Sequence, residues 1–358
     1  MAVRHRIRLL CAALALALFG TSAPAQERPT GRARPVIAVV SANEGTETID
    51  FMVPFGVLST AGVGEVVPVS VESGPVTLVP ALTVETGTNL AQFDAAHPAG
   101  ADYVIVPALR ERDNPHVIAW LKAQAAKGAV MVSICNGAAT LAATGLLDGR
   151  PATAHFTEID NFAEDFPRVR WTKNRRYLRD GKVMTTAGIS AALPASLALV
   201  EMIGGPEAAA EVAARIGVAS WGPDHDSGAF RLSARHVTTA AWNLVRFWEH
   251  ETVGIPVAAG IDEIALALAA DAHSRTFRTR VDSMTEDGRP VASRHGLTVL
   301  GTAADRRRID RVVAAPAAGQ PPARALDEAL SAIRGAYDTR TAEFVAMQLE
   351  YPGLPAAR

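Results

Sequence analysis

The chain has 358 residues, 49% of them hydrophobic and 20% charged, with a formal net charge of -2. That is an ordinary globular balance with room for two domains, and it offers no strongly basic face of the kind that binds nucleic acid. Direct DNA binding is therefore not expected.

The first 25 residues stand apart from the rest. Arg4, Arg6 and Arg8 precede an apolar run over 9–19, and Ala23-Pro24-Ala25 offers a small-residue cleavage site before Gln26. The run is short for a membrane span. We read 1–25 as a signal peptide, which implies a periplasmic or secreted protein; an uncleaved N-terminal anchor is the one membrane association this leaves open. Of the two cysteines, Cys11 leaves with this segment. Cys135 is then a single thiol where cysteines normally pair. A lone cysteine is often no more than a small buried hydrophobe, so its context has to decide.

After a linker at 26–35, apolar runs at 36–40, 66–71, 76–80, 101–106 and 129–134 read as strands, with helices over 48–61, 114–127 and from 138. A strand at 182–186 and a helix at 191–203 add one more unit. Strands that are apolar on both faces and alternate with helices predict a parallel sheet covered on both sides. Residues 206–252 read as a connecting helical region. Beyond it the front half of the pattern recurs: Gly260 to Ala265 parallels Gly45 to Asp50, Gly288-Arg289-Pro290-Val291 parallels Ser73-Gly74-Pro75-Val76, and Asp310 to Pro316 parallels Asp102 to Ala108. Residues 253–350 are thus expected to be a degenerate half-repeat closed by one helix at 325–349. This second copy has Ala265 where the first has Asp50 and nothing at the place of Cys135, so a structural role is expected for it, at a sheet edge or a dimer contact.

In Val130-Met131-Val132-Ser133-Ile134-Cys135-Asn136-Gly137-Ala138, a buried strand runs into a cysteine, and small residues with a glycine open a helix. That is the arrangement of a nucleophile elbow. The helix N-terminus is expected to lower the thiol pKa, and Asn136, following the nucleophile, offers a backbone N–H to a developing oxyanion.

The block from Ile134-Cys135-Asn136-Gly137 through Gly145-Leu146-Leu147-Asp148-Gly149-Arg150-Pro151 to His155, together with Thr185-Thr186-Ala187-Gly188-Ile189, resembles the ThiJ/PfpI superfamily of class I glutamine amidotransferase-like proteins. It is similar above all to the branch of isocyanide hydratase and the sensor half of AraC-type regulators, and the similarity spans 36–205. The resemblance implies a flavodoxin-like, doubly wound sheet. It places Asp50 beside the cysteine as a proton shuttle and His155 as a base or a pocket wall, with Gly137, Gly188 and Ile189 around the pocket. Glu44 and Glu47 are weaker acid candidates, and His225, His236 and His250 read as solvated surface. Family members carry Gly-Gly after the strand that ends here at Val106-Pro107. This chain has Ala108-Leu109, which puts the second oxyanion donor, the Ala108 N–H, in doubt.

Two functions follow from the resemblance. One is an enzyme acting on a small electrophile, hydratase, glyoxalase-like or amidase in type, with no cofactor and no metal. The other is a periplasmic ligand or redox sensor without a DNA-reading domain. A small-molecule substrate or ligand is the expected partner in both, and a homodimer is one assembly they allow.

Overall fold

The computed structural model describes residues 31–303, 309–315 and 319–352. The expected signal peptide lies outside the described residues. Strand β1 (Val36–Ser41) is buried throughout, with alternate side chains entering two different cores: Ile37 and Val39 face one, Ala38 and Val40 the other. A strand wet on neither face needs helices on both. Helix α1 (Thr48–Ala61) is correspondingly apolar almost all round, buried from Thr48 to Leu58 and stopped at Gly62, whose φ is 63°.

The chain continues through β2 (Glu65–Ser70), the hairpin β3 (Val76–Val79) and β4 (Thr83–Glu85), β5 (Tyr103–Val106), α2 (Pro115–Ala126), β6 (Val130–Ser133) and α3 (Gly137–Ala143). Antiparallel β7 (Tyr177–Asp180) and β8 (Val183–Thr186) then lead to α4 (Ala192–Gly204). The main sheet has the order β7-β8-β6-β5-β1-β2 and is parallel apart from β7. Helices α1 and α4 pack together on one face, while α2 and α3 cover the other. This is the doubly wound α/β architecture expected from the alternation of elements.

Past α5 (Pro206–Ile216) and α6 (Ala234–Val245), a second parallel sheet forms. It holds β9 (Glu251–Pro256), β10 (Thr279–Thr285), β13 (Thr302–Ala303) and β14 (Arg311–Val312) in the order β13-β10-β9-β14, with α7 (Glu263–Ser274) between β9 and β10. Short strands β11 (Val291–Ala292) and β12 (Thr298–Val299) join β4 and β3 in a sheet shared by the two halves. The two halves also bond in like ways. The Asp102 carboxylate accepts from the Val36 N–H at 2.9 Å, and the Asp310 carboxylate accepts from the Thr252 N–H at 2.7 Å. Glu47 caps α1 and Asp262 caps α7.

Helix α7 lies against α1. The approach is close enough that a Cβ on Gly56 would come within 2.7 Å of Ile264. The single helix expected at 325–349 is instead two, α8 (Arg324–Ala336) and α9 (Thr339–Gln348). The backbone breaks at Tyr337, and Asp338 opens α9 by accepting from the Thr341 N–H at 2.7 Å. No helix of the described residues is long and apolar enough to cross a membrane.

Candidate active site

Cys135 follows the carboxyl end of β6, in the middle of the sheet and just ahead of α3. Its φ is 53°, a left-handed conformation that costs a non-glycine residue of order 1–3 kcal/mol and persists only where its surroundings impose it. Those surroundings are visible. The Cys135 N–H donates to Thr186 Oγ1 at 3.1 Å, and the Gly137 N–H turns back to the Ile134 carbonyl at 2.9 Å. A Cβ at Gly137 would lie 2.1 Å from the Val106 carbonyl oxygen, so only glycine fits under the turn.

The sulfur borders a cavity of about 610 Å³ whose polar lining includes Glu47, Asn136, His155 and Thr157, together with Arg275 and Gln348 from the second half of the chain. Ala108 and Ile189 also line it. Gly137 and Gly188 pack behind this wall, Gly188 so close to Glu350 that a Cβ would meet its carboxylate at 2.3 Å. Glu44 is exposed and outside the cavity.

Asp50 is fully buried one turn into α1. Its Oδ2 accepts from the Ala108 N–H at 3.1 Å, while its Oδ1 has no hydrogen-bond partner. Glu47 accepts from the Asp50 N–H at 2.6 Å through one oxygen and from Arg275 at 2.7 Å through the other. Arg275 also donates to Asp271 at 2.5 Å. One guanidinium is therefore set among buried carboxyls from two helices. Burial raises the Asp50 pKa to about 7, against the opposing pull of the Ala108 N–H, Glu47 and Arg275. Burial, then the charges of Asp50 and Asp271, push Glu47 well above the usual carboxylate range. Burial disfavours the Arg275 charge, but Asp271 and Glu47 outweigh it and keep that group protonated.

These surroundings overturn the expectation of a lowered thiol pKa. Burial, followed by the negative charges of Asp50, Glu47 and Glu350, raises Cys135 well above the usual thiol value, and the Asn136 N–H offsets this only in part. The Ala108 N–H is likewise committed to Asp50 and not free for an oxyanion, and neither Ala108 nor Leu109 takes a positive φ.

His155 is engaged at both ring nitrogens. Nδ1 meets Thr157 Oγ1 at 2.8 Å and Nε2 donates to the Gln348 carbonyl at 3.0 Å. Burial lowers its pKa. Behind it, Glu350 is a buried carboxylate that accepts from the Phe156 N–H at 2.9 Å, the Gly188 N–H at 3.1 Å and His225 Nε2 at 2.6 Å. His225 is therefore not solvated surface as expected: its side chain is 7% exposed and paired. His250 is exposed, and His236 caps the start of α6.

Arg275, Asp271, Gln348 and Glu350 were not legible as site residues. Arg275, Gln348 and Glu350 join the site through partners more than 150 positions away in sequence, Asp271 joins it through Arg275, and no local pattern marks such long-range pairings. The one available signal was the parallel between 260–265 and 45–50, which places α7 opposite α1 once both are helices.

An α/β protein with a cysteine turned out of the central strand onto buried carboxyls is a recognisable class. Residues 36–202 match the DJ-1/PfpI family, and the chain is similar to its members through this segment. It is 31% identical over 123 residues to the HTH-type transcriptional regulator CdhR of Pseudomonas aeruginosa, covering 34% of this chain and 36% of that protein. It is 30% identical over 117 residues to isonitrile hydratase of Pseudomonas putida, covering 32% and 49%. The chain thus spans about a third and about half of the lengths of these two relatives. Among solved structures, oxidized DJ-1 of Toxoplasma gondii aligns at 27% identity with a TM-score of 0.45, over 52% of this chain and 99% of that one.

Proposed function

We propose that this protein is an exported, cysteine-dependent enzyme of the DJ-1/PfpI family that attacks small electrophilic substrates through Cys135, with Asp50 moving the proton. The observation that carries the reading is the pairing of a strained, cavity-lining cysteine with a buried carboxyl whose pKa of about 7 leaves it able to take or give a proton near neutrality. The raised thiol pKa means that the resting sulfur is protonated. Attack then requires the thiol proton to pass to a carboxylate as the carbon–sulfur bond forms, and Asp50 Oδ1, buried and without a partner, is a free acceptor for it. The same proton returns to the substrate atom that gains electrons. Glu47 and Arg275 hold Asp50 between its two states, and His155, with both nitrogens engaged, serves as wall and not as base. Isonitrile hydration, as in the relative of that name, is one member of this reaction class.

A periplasmic ligand or redox sensor is the second reading. The commitment of the Ala108 N–H to Asp50 favours it, because it removes one of the two expected oxyanion donors and leaves the Asn136 N–H at the sulfur. Turnover separates the two. We expect an isocyanide, methylglyoxal or a peptide amide to be consumed catalytically by the native protein and not by Cys135→Ser. Stoichiometric modification of Cys135 with no turnover of any of them would leave only the sensor.

Two further proposals complete this reading. Residues 1–25 direct export and are removed, which N-terminal sequencing of fractionated cells would establish by a start at Gln26. Residues 253–350 are a partial copy of the front of the domain that supplies Arg275 to the site.

A further inference from the structure

The cavity over Cys135 is far larger and more apolar than a two- or three-carbon electrophile needs. At about 610 Å³ it has the volume of a site for a drug-sized molecule. Its polar groups come from the α1 start, the Cys135 turn, the segments around His155 and Arg275, and Gln348 at the end of α9. The rest of the lining is hydrocarbon. Val237, Ala240, Ala241 and Leu244 recur at helical spacing and form one stripe of α6 along the cavity, and Phe277, Phe344 and Met347 also line it. Leu232, Val237 and Leu244 are cavity wall, yet they are 60%, 51% and 53% exposed. Among the described residues nothing covers more than half of each, and apolar surface left in water costs roughly 25 cal/mol per Å². The uncovered stripe begins in the same cavity as the sulfur, so whatever places a reactive carbon at Cys135 and extends further must lie along it.

We propose that the substrate is an amphiphile: an electrophilic head group seated among Cys135, Asn136 and Arg275, carrying an alkyl or aryl tail that lies on the α6 stripe. The inference rests on the reading of Cys135 as the reactive group. It deepens that reading by fixing the substrate class as apolar-tailed and not as a small hydrophilic aldehyde.

The test uses the full chain and a series of N-alkylmaleimides from methyl to octyl. In this probe reaction the sulfur adds to one carbon of the ring double bond and the thiol proton ends on the other. Second-order rates of Cys135 labelling are read by mass spectrometry and divided by the rates for glutathione, which removes intrinsic reactivity. Full burial of a methylene is worth about fourfold and half-burial about twofold. We therefore expect the octyl reagent to label on the order of a hundredfold faster than the methyl reagent. Leu244→Asp is expected to reduce that octyl-to-methyl ratio at least tenfold, and Leu244→Ala to reduce it by less. Labelling at rates independent of chain length would overturn the tail assignment while leaving Cys135 reactive. Failure of every reagent to label folded protein at pH 9, with labelling after unfolding, would sink the reactive-cysteine reading and this inference with it.

Discussion

Replacing Asp50 by asparagine should stabilise the protein, by an amount that grows as pH rises from about 3.8 to about 7 and then levels off. The side chain is fully buried, with a pKa near 7 in the folded state against 3.8 for the ordinary carboxyl. The folded state thus holds a proton that the unfolded chain gives up between those values. The Asp50 contribution to stability is therefore highest below about pH 3.8, falls as the unfolded chain ionises while the folded state keeps its proton, and is lost once pH has risen through 7, where a bare carboxylate is buried. At 1.36 kcal/mol per pH unit the full window is worth about 4 kcal/mol. Glu47 moves the same way, and it also regains some ease of ionisation once the Asp50 charge is gone. Asparagine keeps an oxygen for the Ala108 N–H and carries no charge. We expect denaturant unfolding at pH 8 to show Asp50→Asn more stable by roughly 2–4 kcal/mol, and at pH 4 to show the two proteins nearly equal. A difference that does not change between pH 4 and 8, or one of the opposite sign, would refute the account of a buried, proton-holding Asp50.

Three other outcomes follow from the geometry. Iodoacetamide labelling of Cys135 should keep accelerating past pH 9 without a plateau, since burial and three carboxylates hold the thiol up; a plateau below pH 8 would show that the site favours the thiolate. Glu350→Gln should lower stability at pH 7 by about 1–3 kcal/mol, because the pairing with His225, His155 and the Phe156 N–H overcomes burial and holds this carboxyl below its usual range. That loss should shrink as pH falls below about 4.5, where the unfolded chain's carboxyl takes up its proton before the folded one does, and a urea series at two pH values would read it. Gly137→Ala should cost roughly 3 kcal/mol, because its methyl group would strike the backbone oxygens of Val106 and Pro107, and an unchanged melting midpoint would contradict the close packing of the turn.

Much of this was legible in the residues. The apolar runs at 36, 103 and 130 located the central strands because strands buried on both faces leave no polar alternation to confuse them. Helix 48–61 was bounded by Gly62, and the small residues after Cys135 announced a turn with no space for a side chain. The failures have a common cause. Local pattern carries periodicity and sterics, but not the dielectric around a group or the charge brought up from elsewhere. Hence the thiol pKa was given the wrong direction: the helix end at Asn136 was visible and the resemblance placed Asp50 beside the sulfur, while the depth of burial and the added charge of Glu350 were not visible. The Ala108-Leu109 departure was visible as a departure. That its N–H would be taken by Asp50 required three dimensions. The break at Tyr337-Asp338 was missed because the apolar stripes of α8 and α9 run nearly in phase across it, though Asp338 is a residue that commonly starts helices.

The reach of Arg275 across to Glu47 has a consequence in concentration. A site assembled from two separate chains obeys mass action and comes apart on dilution. Here the arginine and the cysteine share one backbone, so their encounter is unimolecular and its effective concentration is set by the intervening fold. Diluting the protein a thousandfold should leave the guanidinium in place and the buried carboxyls as they are. The pairing of Arg275 with Glu47 is as complete in a single molecule as in a concentrated solution.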